Sequence, residues 1–371
     1  MRRLILIGLF AAASCAEKAP PPEPRDTEPA GAPTEVAAID EFVPLECPVD
    51  ALAFWSHPTL AFNGLVIAAG DAGLVAFNIE DGDEVARDEA PVSGVAISYL
   101  GTGADAVGYL ATRARGGERA FRFLAVDNAS RALRLLDSLV ISDRSADARF
   151  CLGRTSDGRA LVLHEVGGFG WRWSPLTIAG SMVAAGEGGG VEVSPDGLTR
   201  CVADDVDGAV FAISRSGALF RLADGAAERI AETGVEDADG IGLALNGLVE
   251  GGPTDQCCGQ IAVLDGEAGV VRLFDREDGR AVGAARLKAS YEVDAVASAA
   301  ALGFGNGNFG GVYRDGVVAL ATAGDRPSIR LTPLNGLMDA LGAPLGPTAD
   351  PRDLAPQPDE ARVIDIELVN P

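Results

Sequence analysis

Residues 49–82 read VDALAFWSHPTLAFNGLVIAAGDAGLVAFNIEDG. Two alternating apolar runs flank a glycine-bearing turn, and the second run ends in Asn, Asp and Gly, the pattern of strand, tight turn and strand. Ahead of them stand Asp50 and a Trp55-Ser56-His57-Pro58 corner. The unit returns along the chain: LVAFNIEDG from Leu74, AFRFLAVDNAS from Ala120, LVLHEVGGFGWRW from Leu161, ALFRLADG from Ala218, VVRLFDREDG from Val270 and SIRLTPL from Ser328. Copies lie roughly 40 to 60 residues apart, the spacing at which four short antiparallel strands make one propeller blade. Six copies predict six blades.

Composition agrees. With 47 Gly, 21 Pro and only 6% aromatic residues, and apolar runs of strand length between turn signals, the chain reads as all-β. Within a copy, Val271 and Leu273 alternate with Arg272, as on a strand whose two faces are unequally buried. A β-sandwich needs about seven strands, far fewer than this chain supplies. The apolar run VIDIEL, Val363 to Leu368, is available to close the ring beside an N-terminal strand.

The formal net charge of -24, from 54 acidic and 30 basic residues, repels nucleic acid and other polyanions, and no basic stripe offsets it. Such a surface suits solubility and meetings with cations such as calcium. At the start, MRRLILIGLFAAASC pairs Arg2 and Arg3 with an apolar run and small residues before Cys15, the layout of a signal peptide over residues 1–15. Its end resembles a bacterial lipobox, which implies lipidation at Cys15; ordinary signal-peptidase cleavage is the alternative. Ala16 after Cys15 is similar to lipoproteins sorted to the outer membrane, facing the periplasm or the surface. Residues 16–40, rich in Pro, Ala and Glu, read as an extended disordered linker. The propeller is expected over residues 41–371, as a monomer tied to the membrane through its lipid alone.

Export implies an oxidising compartment, and the five remaining cysteines, Cys47, Cys151, Cys201, Cys257 and Cys258, leave at least one unpaired within the chain. With two histidines and no paired C-x-x-C, the sequence shows no zinc-site spacing. There is no G-x-S-x-G elbow, and GFGNGNFGG from Gly303 lacks the strand-helix context of a nucleotide loop.

The corner D-x-x-x-x-W-x-H-P, with Asp50, Ala53, Phe54, Trp55, His57 and Pro58, resembles the first blade of the β-propeller phytases, D-D-P-A-[IF]-W-x-H-P, and GLVAFNIEDG from Gly73 is similar to the turn that follows it there. Further stretches resemble the family in order: RFCLGRTSDGRALVLH from Arg149, RCVADDVDGAVFA from Arg200, EDADGIGLAL from Glu236, AVLDGEAGVVRLFDRE from Ala262 and SIRLTPL from Ser328. The resemblance implies a six-bladed propeller whose channel face binds calcium and hydrolyses phosphate from phytate or another phosphate ester. Carboxylates would hold the cations, and the cations would bridge phosphate oxygens and activate water. It also places cysteines at Cys151 and Cys201, and so implies a disulfide between them.

The sequence departs from that pattern where the charges matter. Ala51 replaces the second aspartate of the opening pair, and Gly70 and Asp71 stand where the family has paired lysines. Ser93, Gly94 and Ala96 stand where polar ligands are expected, Ser214 and Arg215 replace two adjacent glutamates, and Ala299 and Ala300 replace Thr and Asp. Asp50, Asp237, Asp239 and Asp294 survive as the candidate calcium ligands. For Phe54, Trp55 and His57 the expected role is a packed strand corner, and for Asp204 and Asp205 a β-turn. Two readings follow: a calcium-dependent phosphatase with a reduced ion cluster, or a catalytically inactive propeller that binds or scaffolds. A third, a lactonase-like hydrolase, lacks an identifiable metal constellation.

Overall fold

A computed structural model describes residues 31–352, apart from 43–44, 102, 116–119, 141–148, 155–159, 167–169, 194–195, 224, 246–258, 325 and 344–348. Six sheets of antiparallel strands follow one another around a ring, giving the six-bladed β-propeller that the repeats predict. Strand β1 (Thr34–Ala37) and strand β2 (Asp40–Glu41) come first and belong to the last two blades. Blade 1 holds β3 (Val49–Trp55), β4 (Leu65–Gly70), β5 (Gly73–Asn78) and β6 (Glu84–Asp88). Blade 2 holds β7 (Val92–Leu100), β8 (Val107–Ala114), β9 (Ala120–Val126) and β10 (Leu133–Val140).

Blade 3 comprises β11 (Phe150–Arg154), β12 (Ala160–Val166), β13 (Gly170–Ala179) and β14 (Met182–Ala185), with β15 (Gly189–Glu192) also pairing β13. In blade 4 the strands are β16 (Leu198–Ala203), β17 (Val210–Ser214), β18 (Ala218–Ala223) and β19 (Ala226–Glu232). Blade 5 runs β20 (Gly240–Leu245), β21 (Gly259–Asp265), β22 (Val270–Asp275) and β23 (Ala281–Lys288), and β1 adds to its outer edge in parallel. Blade 6 has three strands of its own, β24 (Ala299–Gly305), β25 (Val317–Thr322) and β26 (Ile329–Pro333); its fourth is β2. A short helix α1 (Leu334–Ala340) follows.

The ring is therefore closed from the N-terminal side. Asp40 and Glu41 pair with Leu331 and Arg330. The N–H groups of Ala38, Ile39, Phe42 and Leu45 donate to the carbonyls of Lys288, Leu331, Ile329 and Pro327, so the seam between blades 5 and 6 is stitched before the chain enters blade 1. Among the described residues pairing begins at Thr34, inside the stretch 16–40 read above as linker: Val36 and Ala38, with Phe42 just beyond it, are buried, and three spaced apolar residues suffice to seat an edge strand. The VIDIEL run, like Cys15, Cys257 and Cys258, lies outside the described residues.

Strand pairing is local, and the core lies between blades. The buried apolar residues fall into six clusters, one in each seam. The blade 6 to blade 1 cluster, for example, sets Phe42, Phe54 and Val66 against Phe309, Val317 and Ala319. Near the axis the inner strands converge, and glycine lets them. A Cβ on Gly303 would fall 2.9 Å from Leu52 and 3.0 Å from Phe54, too close for any side chain there.

Phe42 is 4% exposed and its ring lies 5.9 Å from that of Phe77. Phe42→Ala removes this wedge at the closure and is expected to cost about 3–4 kcal/mol. Urea denaturation measures it, and an unshifted midpoint would show that the ring closes without this segment.

Candidate functional site

The inner strands β3, β7, β11, β16, β20 and β24 line a central channel, and a cavity of about 260 Å³ occupies the end where these strands begin. Arg115, Arg149 and Arg200 line it together with Asp50 and Asp239. Each side chain sits at or beside an inner-strand start, where neighbouring blades come closest and a long side chain must point across the opening.

Arg115 follows β8 and forks between two acids, one Nη donating to Asp50 and the other to Asp71. Arg200 gives its Nε to the carbonyl of Asp239 at 2.9 Å and an Nη to that of Thr199 at 3.0 Å, so its positive charge meets carbonyl dipoles and no carboxylate. Among the described residues Arg149 makes no hydrogen bond or ion pair. Its charge nevertheless acts on both Asp50 and Asp239.

Burial pushes the Asp50 carboxyl above its usual range, against the pull of Arg115. Asp239 is likewise raised by burial, opposed by a hydrogen bond from the backbone of Gly266. That contact needs glycine: a Cβ at Gly266 would stand 2.2 Å from the Asp239 carboxylate.

Of the four carboxylates expected to hold calcium, Asp50 and Asp239 line the cavity. Asp237 and Asp294 are exposed and do not. Asp237 occupies a turn with φ 46°, its N–H bonded to the Arg215 carbonyl. Among the described residues no three acidic, histidine or cysteine side chains gather as a metal cage would require. Calcium takes six to eight oxygen ligands, and of the two acids in the cavity Asp50 is already paired with Arg115. This donor set does not fit the ion. Ser214, where the resemblance expects a glutamate, is buried at the end of β17, with its hydroxyl 3.1 Å from Ser216 and accepting from the Ala218 N–H.

A second cavity, of about 170 Å³, continues the channel below the first. The two share Leu52, Val95, Cys201, Ile241 and Leu302 as a common waist. Cys201 is disulfide-bonded to Cys151, joining the inner strands of blades 3 and 4 with their Cα atoms 5.8 Å apart. At the foot stands Asp205, which accepts hydrogen bonds from the Arg154 N–H at 2.9 Å and the Ser98 hydroxyl at 3.1 Å.

The far end is covered by the segment 349–352. The Ala349 N–H donates to Leu245 of blade 5, Pro351 lines the lower cavity, and the Gly103 N–H donates to the Arg352 carbonyl. Arg352, 2% exposed, donates to the carbonyls of Ser56, at 2.7 Å, and Ala106. Its guanidinium lies 5.2 Å from the Trp55 ring and 4.9 Å from that of Tyr99. The Trp-x-His-Pro corner thus does structural work. His57 accepts the Thr59 and Leu60 N–H groups through Nδ1, and burial lowers its basicity.

Asp204 and Asp205, adjacent in one turn, part company. Asp204 is fully buried and takes the Nε of Arg276 from blade 5. Asp205 faces the channel. The sequence reading missed Arg115, Arg149, Arg200, Arg352 and the placement of Asp205; the one available signal was an arginine just ahead of a cysteine in two successive repeats, RFC from Arg149 and RC from Arg200.

Fold and site together define a six-bladed propeller with an arginine-rimmed channel open at one end. No family model matches the chain, and no curated protein sequence matches it. Among solved structures it is similar to a structural genomics protein of unknown function from Bacteroides thetaiotaomicron VPI-5482, with 11% identity, a TM-score of 0.47, and 81% of this chain and 74% of that one covered. It is also similar to BBS1N, solved in complex with ARL6DN, with 12% identity, a TM-score of 0.43, and 73% and 76% covered.

Burial, opposed by Arg154, raises Asp205 to about 6. The folded protein thus holds this proton more tightly than the unfolded chain, and stability is lost as pH rises from about 4 to 6 and stays lost above. Asp205→Asn keeps the acceptor for Arg154 and removes the charge. It is expected to raise stability at pH 8 by on the order of 2 kcal/mol and to match the parent at pH 4. Thermal melts at the two pH values check this; a variant no more stable at pH 8 would contradict it.

Proposed function

We propose that this protein is a binding propeller whose channel mouth takes a small anion, a phosphate monoester or a carboxylate, without the calcium-dependent hydrolysis that the phytase resemblance implies. Arg149 carries the reading. It is a guanidinium at the cavity wall with no hydrogen-bond or ion-pair partner among the described residues, and guanidinium forks match carboxylate and phosphate oxygens. Arg200 adds a second charge met only by carbonyls. What the resemblance contributes is the phosphate-ester class of ligand; what the residues lack is the carboxylate set that would hold metal and activate water.

The same proposal includes export, with lipidation at Cys15 and an outer-membrane anchor. The Cys151–Cys201 disulfide supports an oxidising compartment. Among the described residues no helix is long and apolar enough to cross a membrane.

Calorimetric titration with inorganic phosphate and with phytate, in calcium and in chelator, tests the reading. Binding is expected in both conditions, with Arg149→Ala weakening it about tenfold, the scale of one charged hydrogen bond, and with no phosphate released from phytate. Binding that requires calcium, or calcium-dependent release, would restore the phosphatase.

A further inference from the structure

Below the arginine rim the channel changes character. Phe54, Ile97, Leu152, Val202, Leu243 and Phe304 form the wall of the lower cavity. An anion held at the rim fills only the upper 260 Å³ and leaves the lower 170 Å³ for something else. The waist between them is made of Leu52, Val95, Cys201, Ile241 and Leu302, with no charged side chain. A ligand that passes it must be apolar there.

The foot is shut. Pro351 lines it, and the segment carrying Pro351 is fastened at Leu245 on one side and through Arg352 to Ser56 and Ala106 on the other. Asp205, the acid that lines the lower cavity, is engaged by Arg154 and Ser98. The space is therefore a channel with arginines at its lip, apolar side chains along much of its lower wall and the segment 349–352 across its foot.

We infer that the channel binds a single-chain amphiphile, an anionic head group held by Arg115, Arg149 and Arg200 with an unbranched apolar tail passing the waist toward Pro351. This rests on the anion-binding reading of the mouth and specifies its ligand. A socket of fixed depth accepts tails up to one length. Each methylene that enters adds its transfer free energy, and those beyond Pro351 add none.

The test is a calorimetric series of straight-chain carboxylates from acetate to dodecanoate, below their micellar concentrations, alongside inorganic phosphate. The chain from residue 15 onward, carrying Cys15→Ser and so neither the apolar leader nor the lipid, is used so that no detergent is present. Affinity is expected to rise about two- to fourfold per methylene and then level at one chain length. In Ala96→Phe, which narrows the lower cavity and leaves the rim intact, phosphate binding should persist while the gain with chain length is lost. Should that variant not fold, the length series on the parent chain decides by itself.

Phosphate and acetate binding with no gain from longer tails would overturn the socket and leave the mouth reading standing. Failure of every anion would remove both. A rise that never levels would mark adsorption to the surface and overturn the closed foot. Tighter binding of a chain bearing a terminal amine would assign the foot to a cation through Asp205, and would overturn the apolar tail.

Discussion

Each apolar cluster in this protein lies between two blades, so no blade has a core of its own. Phe211 and Ile213 of blade 4 are buried only because Ile261 and Val263 of blade 5 stand against them, and the same holds around the ring. Burial of this kind yields about 1.5–3 kcal/mol for each large side chain, but the last seam cannot form until the ring is shut. The two residues of β2, with the flanking bonds from Ala38 to Leu45, supply that closure. Thr332 Oγ1 donates to the Ala37 carbonyl and Tyr313 donates to Asp40, so blade 6 grips the strand with side chains as well as backbone. A short strand suffices because it need only hold the neighbouring blades in register while the seams between them form.

Ring closure also fixes the channel. Once six inner strands are held around an axis, what they begin with forms one mouth and what they end with forms the other. At the first mouth the strand starts carry Asp50, Arg149 and Arg200. At the second, the Trp55 and Tyr99 rings receive Arg352. A buried guanidinium is costly unless its donors are met, and here two carbonyls, Asn128 and two ring faces meet it. The Trp-x-His-Pro corner, expected from the sequence to be a packed strand corner, thus holds Arg352 at the opposite end of the channel from the charged cavity.

The blades were legible because each repeat carries its own strand alternation and its own turn, information local in the chain. Six copies of LVAFNIEDG-like segments needed no tertiary knowledge to count. The closure was less legible: ordered pairing starts at Thr34 within Pro- and Ala-rich sequence, and the residues that seat it contact positions some 250 to 290 residues away. The site was least legible of all. Asp50 and Asp239 are 189 residues apart in sequence, and their joint neighbour Arg149 belongs to a third blade; nothing in any one segment announces that convergence. Asp237, two residues from Asp239, looks equivalent in sequence and yet points elsewhere, because the positive φ at Asp237 turns the chain between them.

The charge balance at the mouth follows from the same geometry. A chain of net charge -24 surrounds its channel with negative potential, and a carboxylate pair alone at the lip would deepen it. Arg115, Arg149 and Arg200 offset the acids Asp50 and Asp239 there, and the low-dielectric walls on either side strengthen their field at the opening. An anion approaching anywhere else on the surface meets repulsion; at this end of the axis it meets guanidiniums whose acids are partly occupied with one another, Arg115 with Asp50 and Asp71, and two whose charges no carboxylate contacts directly. In the proposed reading, arginines attract a phosphate with covalently fixed charge where a cluster of carboxylates would have needed bound cations, an arrangement that gives up metal-activated water and keeps attraction for the anion.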